Sequence, residues 1–203
     1  TGEMIYLQGG AENSSESFSY TLSDGTTTDT ATVTLSVTNA NDAPVAKNDS
    51  VDVTEGQAST VTNLITADNG NGADSDADGD TLSITSVTVG STTTSLSGVA
   101  AESSGTYSGY KAISGQDGST IYIKSTGEMI YLQGGAENSS ESFTYTLSDG
   151  ALTDTATVTL NVTGANDAPV ANNDTVAVTE NQASTVTNLI SGSGEATADS
   201  DAD

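Results

Sequence analysis

The chain has 203 residues, with 28 Asp and Glu against 3 Lys and Arg, for a net charge of −25. It lacks the clustered cations that a phosphate backbone requires, so nucleic acid is excluded as a partner, and its apolar runs are too short for membrane insertion. With no Cys and no His, disulfides and zinc or copper sites drop out, and the remaining carboxylate, amide and carbonyl oxygens are the donor set of a hard cation such as Ca2+.

The chain repeats itself. TGEMIYLQGGAENSSESFSYTLSDG at 1–25 returns at 126–150 with one change, and the offset of 125 holds without a gap to Asp203, with about 62 of 78 overlapping positions identical. In both copies an Asn-Asp-Ala-Pro-Val-Ala phrase (41–46 and 166–171) follows a strand-like run, and Pro stiffens and extends the chain there. This sets the expected organisation. Residues 1–40 are the C-terminal part of a preceding repeat, 41–44 a linker, 45–164 a complete module, 165–169 a second linker, and 170–203 the N-terminal part of a following repeat. The chain is thus expected to begin and end inside modules of a longer protein.

Within the complete module the apolar period is two. Val51 and Val53 open the first strand. Val61, Leu64 and Ile65 mark the second, and Leu82, Ile84, Val87 and Val89 the third. The stretch 66–72, where the two copies differ most, reads as a solvated loop. Residues 91–118, rich in Ser, Gly and Thr, give no clear strand. Ile121 and Ile123 mark the next strand, then Ile130 and Leu132, then Phe143, Tyr145 and Leu147. The last strand carries Ala156, Val158, Leu160 and Val162, with threonines alternating outward. Asp149-Gly150 is a hairpin turn between the final two strands. Seven or eight short strands in about 120 residues predict an all-β, antiparallel sandwich module repeated in a linear tandem array.

The phrases SFTYTLSDGALTDTATVTLNVTGANDAPVA, NDSVDVTEGQASTVTNLI and DSDADGDTLSITSV, in that relation, resemble the bacterial cadherin-like and VCBS-type repeats of giant RTX-type surface adhesins. The resemblance spans nearly the whole chain apart from roughly 90–120. It implies immunoglobulin- or cadherin-like sandwiches strung in tandem with Ca2+ at their junctions, in a secreted bacterial surface protein that extends rather than catalyses. The glycine-rich nonapeptide G-G-x-G-x-D of RTX proteins is absent.

The sharpest local motif is Asp74-Ser-Asp76-Ala-Asp78-Gly79-Asp80, whose alternate oxygens can converge on one ion while Gly allows the bend. It is not an EF-hand, because the twelfth position is Thr85. Sandwich topology places Asp74, Asp76, Asp78, Asp80 and Asp149 at the end where the chain enters. Glu55, Glu137 and Glu141, with linker residues Asn166 and Asp167, lie at the end where it leaves. The resemblance to a cadherin junction implies one ion-binding set of Glu55, Glu137 or Glu141, Asn166, Asp167, Asp199 and Asp201. A preceding set would use Glu12 or Glu16, Asn41, Asp42, Asp74, Asp76 and Asp78.

Residues 44–168 hold 16 acids and 3 lysines, net −13, so neighbouring poles repel unless cations bridge them. The function expected is a Ca2+-rigidified extender whose partners are neighbouring repeats of its own chain. The alternatives are a homophilic or glycan-binding adhesion module, or a filament in which copies of the chain exchange strands. Weaker signals point elsewhere. Lys47 beside Asn and Asp could form an isopeptide bond, but its repeat counterpart is Asn172. The seven tyrosines could form a sugar platform, but most alternate with core residues. The sequons at Asn13 and Asn161 arise readily in a Ser/Thr-rich chain. Paired carboxylates could hydrolyse glycosides, but no Arg, His or Trp is present to shape a pocket.

Overall fold

A computed structural model of the chain describes all residues except 1, 8, 10–14, 117, 135–140, 185–187, 192–197 and 202–203. Strands β1 (Glu16–Ser23) and β2 (Thr28–Leu35) form a separate two-stranded hairpin. Then follow β3 (Asp49–Thr54), β4 (Thr62–Asn63), β5 (Ser83–Val89), β6 (Thr92–Ser95), a 3-10 turn (Leu96–Gly98), β7 (Lys111–Ser114), β8 (Thr120–Ile123), β9 (Glu128–Leu132), β10 (Glu141–Ser148) and β11 (Thr153–Thr163). One sheet has the order β3-β11-β10-β5-β6 and the other β4-β9-β8-β7. Their facing sides share one apolar core, which includes Val87, Ile123, Met129, Leu147 and Val158. The module is therefore an all-β sandwich, as the period-two pattern predicts.

Among the described residues all strand pairings are antiparallel except one. β3 runs parallel to β11, with Val51 beside Leu160 and Val53 beside Val162. The first and last strands of the sandwich point the same way, so they can meet only in parallel. That contact closes the module across more than 100 residues of chain.

The β10–β11 hairpin follows its sequence closely. Phe143, Tyr145 and Leu147 face inward beside Val158, Ala156 and the region of Asp154. Elsewhere the structure departs from the pattern. Strand β4 is only Thr62–Asn63, because the Asn63 side-chain oxygen accepts the N–H groups of Ile65 (3.0 Å) and Thr66 (2.9 Å) and turns the chain. Leu64 and Ile65 are buried from this turn rather than from a strand, and Val61 is exposed. In β9 Met129 and Tyr131, both fully buried, join the shared core, while Ile130 is buried outside that cluster and Leu132 is half-buried. All four are apolar or amphipathic, so composition alone does not fix the parity of this strand.

The stretch 66–72 is a loop of exposed and half-buried residues, as expected, and one of its side chains is tied to the module. The Asn69 amide donates to Asp49 (2.9 Å) and to the Asn63 carbonyl (3.1 Å), anchoring the loop. Residues 91–118 supply β6, β7 and a turn that buries Leu96. Lys111 Nζ holds this turn by donating to the carbonyl oxygens of Leu96 and of Val99, the latter at 2.8 Å.

The repeat copies keep local geometry even where they lack a sandwich around them. Val45 and Ser75 bridge, and so do Val170 and Ser200. Gly56 turns at φ +64°, and its counterpart Asn181 adopts φ +62°, the left-handed conformation that Asn tolerates better than other side-chain-bearing residues.

Burial makes two copies of one leucine very different. Leu147 is fully buried, whereas Leu22, at the same place in the β1–β2 hairpin, is 69% exposed. In urea unfolding of the full chain, Leu147→Ala is expected to cost about 2–5 kcal/mol. Leu22→Ala is expected to change the same transition by less than about 0.5 kcal/mol.

Candidate functional site

The acidic loop after β4 runs in extended alternation, so Asp74, Asp76 and Asp78 turn inward while Ala73, Ser75 and Ala77 are exposed. Asp76 Oδ1 accepts the N–H groups of Asp78 (2.9 Å) and Asp80 (3.2 Å), curling the loop around its own carboxylate. Gly79, at φ +78°, takes the bend. One carboxylate oxygen from each of Asp76, Asp78 and Asp80 then lies within 4.8 Å of the others. Asp76 Oδ2 is buried and has no hydrogen-bond partner. An orphaned buried carboxylate oxygen inside an all-oxygen cluster fits a hard cation and little else.

The linker comes to this cluster. The Asp42 N–H donates to Asp78 Oδ2 (2.7 Å) and the Asn39 amide donates to Asp78 Oδ1. The Asn41 amide donates to Asp149 Oδ2 (2.9 Å) and to the Asp42 carbonyl (2.9 Å). Asp149 Oδ1 also accepts the Leu152 and Ala151 N–H groups (2.7 and 2.6 Å), and these bonds, with the Asn41 amide, hold its carboxyl below the usual carboxylate range. Asn41, Asp42, Asp76, Asp78, Asp80 and Asp149 are thus gathered at one pole. Asn39 was not among the residues expected there.

Asp74 behaves differently. Its Oδ1 accepts the Lys47 N–H (2.7 Å), and both its oxygens accept the Tyr145 hydroxyl (3.1 and 2.9 Å). It is a tie between the acidic loop, the incoming chain and the core. Beside it Asp49, on the inward side of β3 and 3% exposed, has one oxygen bonded to Asn69 and the other without a partner. Burial pushes Asp49 up to about 6, with the Asp74 charge adding to this and the Asn69 amide and the Tyr145 hydroxyl opposing it. Burial likewise raises Asp74, with the Lys47 N–H and Tyr145 hydroxyl opposing. It raises Tyr145 too, with the charges of Asp49 and Asp74 adding. The parity of Asp49, Val51 and Val53 was the available signal for this interior acid.

At the opposite pole the Ala165 N–H donates to Glu55 Oε2 (3.2 Å), and the Asn166 amide donates to the Asp167 carbonyl (2.7 Å), matching Asn41 on Asp42. Glu141 is buried and its Oε2 accepts from Ser119 Oγ (3.0 Å) and Gln116 N (3.4 Å), so its carboxylate serves the β7–β8 turn. Glu137 and Glu12 lie outside the described residues. Glu16 accepts the Tyr6 hydroxyl (3.0 Å) on the β1–β2 hairpin. Asp199 Oδ1 accepts the Asn172 N–H (2.8 Å), the counterpart of Asp74 with Lys47, and Asp201 is exposed. The tyrosines are scattered in burial, with Tyr6 and Tyr20 exposed. Tyr110, Tyr131 and Tyr145 are buried, and Tyr107 and Tyr122 stack on each other at 3.8 Å.

A two-sheet sandwich with linker amides and carboxylates meeting an acidic loop at its pole is the architecture of a modular cadherin-type domain. The chain belongs to the bacterial cadherin-like domain family, whose model matches residues 41–164. Domains of this family are extracellular and the family is non-catalytic. No curated protein matches the chain. Among solved structures it is similar to the endo-fucoidan hydrolase MfFcnA4 from glycoside hydrolase family 107, at 20% identity and a TM-score of 0.35, covering 76% of this chain and 19% of that one. The endo-fucoidan hydrolase MfFcnA9 follows at 19% identity and a TM-score of 0.31, covering 75% and 22%. The chain therefore spans about a fifth of those proteins. No helix among the described residues is long and apolar enough to cross a membrane.

Asp49 gives a pH prediction with a definite sign. Its folded value, about 6, lies above its ordinary 3.8. The folded state therefore holds the proton more tightly, and this contribution is complete below about pH 4 and lost as pH rises through 6. Two units correspond to about 3 kcal/mol. In chelator, Asp49→Asn is expected to stabilise the chain by about 1–3 kcal/mol at pH 7 and hardly at all at pH 4, read from urea midpoints at the two pH values.

Proposed function

We infer that this chain is a calcium-dependent extender of a secreted bacterial cell-surface adhesin or fibre, with ions stiffening the joints between successive modules. The observation that carries this reading is the meeting of the linker residues Asn41 and Asp42 with Asp78 and Asp149, beside the orphaned Asp76 oxygen. Asp76, Asp78 and Asp80 would hold the ion, with Asn41, Asp42 and Asp149 close enough to couple it to the linker. A bound Ca2+ would supply the positive charge that the pole lacks and lock the linker onto the module. The module itself has a net charge of −13 and only three lysines, so without cations its poles repel their neighbours. Membership of a family that usually binds Ca2+ supports the same reading. No catalytic role is proposed. Asp74, Asp76 and Asp149 accept backbone N–H groups, and Asp74 also accepts the Tyr145 hydroxyl.

Thermal unfolding and small-angle X-ray scattering of the full chain, in EGTA and in millimolar Ca2+, test this. An ion at a hundred times its Kd stabilises by about 2.7 kcal/mol, so a rise in Tm on the order of 10 °C and a longer, stiffer particle are expected. Asp76→Asn should weaken Ca2+ binding about tenfold or more, since ligand charge sets affinity in such sites. If Ca2+ changes neither Tm nor particle length, the acidic pole is only solvated charge and the extender is not calcium-dependent.

A further inference from the structure

Around Tyr145, oxygen atoms outnumber the hydrogens available to them. Its hydroxyl lies 2.9 and 3.1 Å from the two oxygens of Asp74, 3.1 Å from the Lys47 carbonyl oxygen and 3.5 Å from the Leu64 carbonyl oxygen. A hydroxyl carries one hydrogen, so it satisfies one of these four at a time. Asp49 faces the same hydroxyl from β3. It feels the charge of Asp74, and Tyr145 in turn feels the charge of Asp49. Asp49 is 3% exposed, its Oδ1 takes the Asn69 amide at 2.9 Å, and its Oδ2 is buried without a partner.

The side chains nearby do not offset these charges. Lys47 attracts Asp74 without forming an ion pair with it, Lys124–Glu128 being the ion pair among the described residues. Asp154, whose Oδ2 accepts the Ala46 N–H at 2.9 Å, adds a further negative charge that Asp74 feels. Burying a carboxylate without a counter-charge is costly, and here two carboxylates converge on one tyrosine.

We propose that Asp49, Asp74, Tyr145 and the Lys47 and Leu64 carbonyl groups form a second Ca2+ site, inside the sandwich and separate from the cluster of Asp76, Asp78 and Asp80. Two carboxylates balance one divalent ion in charge. Asp49 Oδ2, both oxygens of Asp74, the Tyr145 hydroxyl and the two carbonyl groups offer six oxygens, a number that Ca2+ accepts. The orphaned Asp49 oxygen then gains a partner, and the crowding of acceptors around one hydroxyl hydrogen gains a reason. The internal repeat agrees. The offset of 125 carries Asp49 to Asp174, Asp74 to Asp199 and Tyr145 to Tyr20, but it carries Asn69 to Gly194 and Lys47 to Asn172. The oxygen-bearing side chains recur, whereas the amide that partners Asp49 and the neighbouring lysine do not. The site stands on residues other than those of the pole, so it does not rest on the extender reading.

Equilibrium dialysis counts the Ca2+ bound by the full chain, by Asp49→Asn, by Asp76→Asn and by the double variant. Asp49→Asn is expected to bind one ion fewer than the parent chain, and to lose one ion again in the Asp76→Asn background. Stability gives a second readout. An ion held at a hundred times its Kd favours the folded state about a hundredfold, and Asp49→Asn lacks that gain. The urea midpoints of the two chains should therefore shift relative to each other, in favour of the parent, on passing from EGTA to Ca2+. An unchanged ion count in Asp49→Asn would overturn the proposal, and so would a midpoint difference that Ca2+ leaves as it is in EGTA. Either result leaves Asp49 as an interior acid that holds only a proton. Loss of every ion on Asp76→Asn alone would overturn it too. An ion lost on Asp49→Asn and none on Asp76→Asn would support this site and sink the pole reading instead.

Discussion

Strand β10 lies between β11 and β5, and every second side chain on it enters the space between the sheets. Phe143 and Leu147 fill that space with hydrocarbon, but Tyr145 between them carries a hydroxyl that must find a partner when buried. It reaches Asp74 and the Lys47 carbonyl (3.1 Å). A core residue thereby fixes both the start of the acidic loop and the chain arriving from the linker. From Asp74 the extended alternation places Asp76 and Asp78 at successive inward positions, so the geometry of the pole descends from the packing of one tyrosine.

The chain manages its charge largely without counter-charges. Lys124–Glu128 at 2.6 Å is the salt bridge found among the described residues, and it is a half-exposed pair of the kind that contributes little. The acids bond instead to backbone N–H groups: Asp24 to Thr26 and Thr27, Asp68 to Gly70 and Gly72, Asp149 to Ala151 and Leu152. These bonds lower the carboxyl values of all three and make the turns rigid. Where such donors run short, at Asp49 and at Asp76 Oδ2, the fold leaves an interior acid that favours a proton and a pole oxygen suited to a cation.

Much of this was legible in the residues. The alternation of Phe143, Tyr145, Leu147 with Ala156, Val158, Leu160 fixes the central hairpin, because a one-residue slip would expose every apolar side chain. That the acidic loop and the Asn41-Asp42 linker share a pole was legible from the order of the strands. Three things were not. The parity of β9 is undetermined within Met129-Ile130-Tyr131-Leu132, where neighbouring strands decide which face is inward. The bend after Asn63 depends on a side chain competing with the sheet for backbone donors. The span 91–118 hides Leu96 and Ile113 among polar residues, and Lys111, which a charge count treats as solvent-facing, turns inward to clasp carbonyl groups.

The parallel β3–β11 pair bears on how the module would carry load. The chain enters beside the start of β3 and leaves from the end of β11, at opposite poles. Tension along the chain pulls these two strands past one another lengthwise. Their ladder, running from Val158 beside Asp49 to Thr163 beside Thr54, is loaded in shear, with its hydrogen bonds sharing the force together. A hairpin pulled from its open end would instead peel one bond at a time. Closing a sandwich with its first and last strands side by side makes the seam of the fold also the ladder that a pull on the chain loads in shear.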